Sequence, residues 1–147
     1  MQLQRGVATG VLIAATTLCY ASPPGIGHPI IGTWRLYAQE GSCIETWEFR
    51  ADGTSHNYSG LEESTSQYTI SDEPTSAGYY ILVDTIVETN GQPDCLGNTV
   101  PIGDRAVGYL VPAPGDQFRL CLDLALGDCF TMVRAAKPYS TGRQSRR

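Results

Sequence analysis

Gly32-Thr33-Trp34-Arg35-Leu36 opens a series of short strand-like segments that closes on Phe130-Thr131-Met132-Val133-Arg134. A tryptophan in the first segment and an arginine in the last suit a sheet that curls until its outer strands meet. The indole plugs one end of such a tube, and the guanidinium can stack on its face. Between them, clusters of Gly, Pro, Asp, Asn and Ser separate candidate strands over 33–38, 43–50, 54–59, 64–70, 78–88, 106–111, 117–122 and 129–134. No helical spacing of apolar residues persists beyond about two turns, so the pattern predicts strands throughout. The expected fold is all-β, an eight-stranded antiparallel up-and-down barrel, just wide enough to be filled by its own side chains or to hold one small ligand.

Two hairpins resolve to individual side chains. Ala51-Asp52-Gly53 supplies a type I turn with glycine in the left-handed position, so Arg50 opposes Thr54 and Phe49 opposes Ser55. Alternation then turns Trp47 and Phe49 inward, with Cys43 and Glu45 on the same face and Asn57 and Ser59 opposing them. A turn one residue different exchanges Ser55 and Asn57 for His56 and Tyr58. An inward carboxylate sits either in water at an open mouth or against a ligand it orients, and Glu45 allows both readings. In the second hairpin, a turn centred on Leu124-Ala125-Leu126 brings Cys121 opposite Cys129. Phe118, Leu120 and Leu122 then share a face with Phe130, Met132 and Arg134, which also points Arg134 inward.

Residues 1–21 read as a signal peptide: a lone basic Arg5, an apolar stretch through Leu18, and Cys19-Tyr20-Ala21 before the expected cut. Cys19 leaves with it, and the mature chain is expected to have no stable membrane insertion. The remaining 126 residues suffice for one domain with a modest core. Their four cysteines, Cys43, Cys95, Cys121 and Cys129, form an even set in an exported small domain and predict two disulfides. Of the three pairings available, the hairpin favours Cys121 with Cys129, which leaves Cys43 for Cys95. That second bridge ties the long irregular segment 90–105 to the barrel wall. A metal site is disfavoured, because no Cys-x-x-Cys occurs and His28 and His56 are far apart in sequence.

Charge divides the mature chain. Residues 22–134 contain all fifteen acids against five arginines, a net of about minus ten, whereas Lys137, Arg143, Arg146 and Arg147 make the last segment purely basic. An acidic body argues against phosphate binding and so against nucleic acid as a partner. Pro138, Ser140, Thr141 and Gly142 interrupt any pattern in 135–147, which is expected to be a disordered basic tail. The Pro/Gly-rich arm at 22–29 either crosses the barrel floor or hangs free. The turn-rich 90–98 segment, with 59–63, can form a polar, acidic rim.

Chemistry is sparse. The chain has no Gly-x-Ser-x-Gly elbow, phosphate-cradling glycine loop, His-Glu-x-x-His or Gly-x-Gly-x-x-Gly, so no catalytic residue and no cofactor is assigned. A Ser-His-Asp relay would have to recruit His56 from a hairpin.

Gly32-x-Trp34 at the head, Arg134 at the tail and the Trp47-x-Phe49-x-x-Asp52-Gly53-Thr54 hairpin resemble the small bacterial lipocalin-like domains of the calycin superfamily. The resemblance spans 30–134 and departs at the C-terminus, where Ala135-Ala136-Lys137-Pro138 leaves no room for the family's usual helix. It implies a barrel closed by Trp34 and Arg134 and a non-catalytic carrier or sensor of a small, partly apolar molecule. The ligand residues expected are Glu45, Trp47, Phe49 and Asn57. The chain is also similar to the periplasmic inhibitors of secreted metalloproteases in the same superfamily, with Gly32-x-Trp34, Cys43 and the 22–29 arm in comparable places. That likeness implies an alternative, an inhibitor or immunity-type protein whose partner is an envelope protein. Either reading places the chain in the periplasm or outside the cell.

Overall fold

The computed structural model describes residues 23–38 and 43–136. The expected signal peptide at 1–21 and all but the first two residues of the basic tail lie outside the described residues.

Alternation builds the wall. Along 62–70 every second residue, Glu62, Ser64, Ser66, Tyr68 and Ile70, is buried, which is the period of a strand with one face turned inward. The strands are β1 (Gly32–Ala38), β2 (Cys43–Phe49), β3 (Thr54–Ser59), β4 (Glu62–Ile70), β5 (Tyr80–Thr89), β6 (Arg105–Ala113), β7 (Gln117–Cys121) and β8 (Cys129–Arg134). Each pairs antiparallel with the next, and β1 pairs with β8 to close the barrel. The register of β2 and β3 follows from the Asp52-Gly53 turn: Phe49 opposes Ser55 and Trp47 opposes Asn57. The Asp52 carboxylate accepts from the Thr54 amide at 2.9 Å, and Gly53 has φ 84°, so the turn sets the pairing and leaves His56 and Tyr58 outside. Some bounds differ from expectation. The strand β4 begins at Glu62 because Ser59 and Glu62 pair directly across the Gly60-Leu61 turn.

The closed tube has two unlike ends. At the floor lie the turns after β2, β4 and β6 and the arm at 23–31; at the mouth lie the connections after β3, β5 and β7. The floor half is packed with Ile30, Trp34, Phe49, Tyr68, Leu82, Leu110, Phe118 and Met132. Burying each such side chain contributes about 1.5–3 kcal/mol, so this half contains most of the apolar stabilisation.

The arm crosses the floor. Ile30 is fully buried, and its carbonyl accepts from Trp34 Nε1 at 2.6 Å. His28 is buried against Tyr80, accepts from the Ile30 amide through Nδ1 and donates through Nε2 to the Ser71 carbonyl at 3.2 Å. Those contacts select the neutral ring, and burial holds its pKa below the ordinary histidine value. Arg134 locks the seam. It lies 4.1 Å from the centre of the Trp34 ring and donates to the Ile31 and Pro29 carbonyls and to Asp116. A Cβ on Gly32 would lie 2.6 Å from an Arg134 nitrogen, which explains why glycine stands two residues before the tryptophan. Both ends of the described chain are at the floor: Pro23 touches the Gly53 turn, and Ala135 donates to the Thr33 carbonyl.

Both disulfides are at the mouth. Cys121 and Cys129 pair directly across β7 and β8 with Cα atoms 4.0 Å apart. Leu122 donates to the Asp128 carbonyl, and the Asp123 carboxylate accepts from the Gly127 and Asp128 amides, which closes the connection in that register. Cys43 joins Cys95 across 52 positions of sequence. The register places Phe118 opposite Met132 and Leu120 opposite Phe130, the shared face predicted, but of these four only Phe118, Leu120 and Met132 are buried. Leu122 lies beyond the end of β7 and is exposed, and Phe130, next to the mouth disulfide, is partly exposed.

Candidate mouth cavity

Above the apolar floor the same inward rows change character. On β4 the sequence Glu62-x-Ser64-x-Ser66 precedes Tyr68-x-Ile70, on β2 Glu45-x-Trp47 precedes Phe49, and on β5 Asp84 and Ile86 follow Tyr80 and Leu82. These polar positions share the mouth half, and all of them but Ser64 line a cavity of about 210 Å³. Its wall includes Glu45, Trp47, Asn57, Glu62, Asp84 and Asp104, with Ile86, Val100 and Ala106 as apolar patches.

Three of the four predicted ligand residues, Glu45, Trp47 and Asn57, line this cavity. Glu45 accepts from the Trp47 indole N–H at 3.2 Å, so the two predicted side chains are coupled. Phe49 does not line it. It is only 1% exposed and packs edge-on against Tyr68, because the fourth inward position of β2 already lies in the filled half of the barrel.

Sequence reasoning missed the other acids. Glu62, expected only as part of the 59–63 rim, opens β4 and is 3% exposed, with Oε1 lacking any hydrogen-bond partner among the described residues. Burial raises its pKa above the ordinary carboxyl range; the neighbouring Ser64 hydroxyl opposes this, and the charges of Asp94 and Glu45 add to it. Asp84 accepts from the Ser55 hydroxyl at 2.9 Å. Burial raises its pKa too, opposed by the hydroxyls of Ser66 and Ser55. The signal available was Asp84 standing in phase with Tyr80 and Leu82, a carboxylate on the inward row of an otherwise apolar strand.

The long connection after β5 folds down onto this end. Cys95 donates to Ser59 Oγ, Leu61 donates to the Pro93 carbonyl, and Asn90 donates to the Leu61 carbonyl at 2.9 Å. Asp94 organises its own turn by accepting from the Leu96 and Asn98 amides. The segments 59–63 and 90–98 are therefore one rim, as the sequence suggested. His56 lies outside the barrel beside Thr65, 3.3 Å from its hydroxyl. Among the described residues, no three His, Cys, Asp or Glu side chains are close enough together to hold a metal ion. No helix there is long and apolar enough to cross a membrane.

Comparison of the chain with family models, curated proteins and solved structures gives no match.

Proposed function

We propose that this chain is an exported, non-catalytic, lipocalin-like barrel that holds a small, partly apolar molecule in its mouth. The observation that carries the reading is the division of the interior: a floor filled by apolar side chains beneath a cavity of about 210 Å³ lined by Trp47, Glu45 and Asn57. Barrel mouths are common sites for small ligands, and an apolar wall with a few fixed polar groups is their usual construction. Export is supported by the two disulfides, which persist in oxidising compartments, together with the sequence of residues 1–21. Positions of the two histidines support a non-catalytic role: His28 is committed to the floor and His56 to the outer wall.

The inhibitor reading has one observation in its favour. Leu61, Leu96, Ile102, Leu122 and Leu124 stand exposed on the connections around the mouth, an apolar rim suited to a protein partner. The arm is anchored at the floor through His28 against Tyr80, while Gly25, Ile26 and Gly27 stay exposed beyond that anchor. Native mass spectrometry of protein purified from its own source separates the two readings. A retained small molecule is the expected result; a retained protein, with the cavity empty, would overturn the carrier reading.

A further inference from the structure

We propose that the mouth cavity takes a small organic cation, an ammonium bearing a short apolar group, held by Glu62 and Asp84 with its apolar portion against Trp47. This inference rests on the reading of the mouth as a binding site and names the class of ligand.

Size sets the first bound. Drug-sized ligands occupy roughly 300–1,000 Å³, whereas this cavity is about 210 Å³. Such a space encloses a single-ring or short-chain molecule, whereas a fatty acid or a large ring system would extend out of it.

Charge sets the second. The described residues lining the cavity include the carboxyl groups of Glu45, Glu62, Asp84, Asp94 and Asp104, and no Lys, Arg or His. An anionic ligand would be repelled by every one of them.

Unmet hydrogen bonding sets the third. Glu62 Oε1 and Asn57 Oδ1 are buried acceptors without a donor among the described residues. Leaving such groups dry and unpaired is unfavourable. What they lack is a hydrogen-bond donor; a primary ammonium supplies three donors and no acceptor, and unlike a neutral hydroxyl it also offsets the surrounding carboxylate charge. A bare metal ion is the competing occupant. The carboxyl groups are spread around the wall, and no three of the described His, Cys, Asp or Glu side chains are close enough to hold a metal ion, so a larger, shaped cation fits better. Trp47 completes the match, since an aromatic face attracts a cation and covers apolar carbon equally well.

The test uses the full chain with its disulfides formed and three probes of nearly the same shape: 2-phenylethylammonium, 2-phenylethanol and 3-phenylpropanoate. Calorimetry and tryptophan fluorescence should show saturable binding of the ammonium, at least tenfold tighter than the alcohol, and no binding of the carboxylate. Glu62→Gln should weaken the ammonium at least tenfold while the melting transition stays cooperative. Asp84→Asn repeats the test on a second strand should the first variant fail to fold. If the alcohol binds as tightly as the ammonium, the cationic class is wrong while the carrier reading stands. Equal binding of the ammonium by wild type and both variants also overturns it, as does full displacement of the ammonium by equimolar calcium. If no probe binds and native mass spectrometry finds no retained small molecule, both readings fall together.

Discussion

The Arg134 guanidinium stands over the Trp34 ring at 4.1 Å while its N–H groups hold the Pro29 and Ile31 carbonyls at 2.7 and 2.9 Å. One side chain from the last strand thereby fastens the first strand and the arm beneath it. Trp34→Ala should destabilise by about 3–5 kcal/mol, the usual range for removing a large buried aromatic residue. Arg134→Ala should destabilise by about 1.5–3 kcal/mol, the scale of hydrogen bonds to a charged group. Because the two groups touch, the double variant should be less damaged than the sum of the singles in a urea-denaturation cycle. Strict additivity would mean that the stack contributes nothing.

Peptide mapping without reduction should return Cys121 linked to Cys129 and Cys43 linked to Cys95, with no free thiol among these positions. Removing the first bridge by Cys121→Ala with Cys129→Ala should destabilise by about 2–5 kcal/mol. Both bridges are at the mouth, so reduction should raise amide exchange there before it affects the floor strands. Uniform exchange across both ends after reduction would count against that division.

Glu62 gives a pH signature. Its folded pKa is raised, so the folded state holds the proton more tightly than the unfolded chain, whose value is near 4.5. Stability is then lost as pH rises from 4.5 through the raised folded value. Glu62→Gln removes that penalty and should melt higher than wild type at pH 8, with the difference disappearing below pH 4.5. A lower melting temperature at pH 8 would show that the carboxylate is stabilised by its surroundings. Combined with weaker ammonium binding, the expected gain would be a trade of stability against ligand recognition.

His28 has the opposite sign. Burial lowers its folded pKa below 6.5, while the Ser71 carbonyl and the charges of Asp72 and Glu73 partly offset the effect. A lowered base contributes stability that is fully present above the unfolded value and is lost as pH falls below 6.5 toward the folded one. Going from pH 7.5 to 5.5, wild type should therefore lose more thermal stability than His28→Asn, which can still accept from the Ile30 amide and does not titrate. Parallel curves for the two proteins would remove His28 from the account.

The wall of this barrel was legible because a two-residue period survives in short segments such as 43–49 and 64–70, and because Ala51-Asp52-Gly53 marks the turn, although the choice between Ser55 and His56 as the inward residue was decided only by the observed pairing of Phe49 with Ser55. The Cys121–Cys129 bridge followed from the same local geometry. The acidic half of the cavity was not legible. Glu62 looked like a turn residue until its pairing with Ser59 drew it into β4, and Asp104 belongs to a connection whose path depends on the Cys43–Cys95 bridge. Phe49 went the other way, since alternation gives the face of a side chain but not its depth along the tube. Depth is decided by closure, when the arm seals one end and leaves the other open.

Pro23 and Ala135 leave the barrel on the side away from the cavity. Any tether joined to either end of the domain, whether a fused partner, a surface anchor or a sensor chip, would hold the molecule like a cup standing on its base. The opening would face outward without further engineering, and the residues around it could be exchanged without touching the point of attachment.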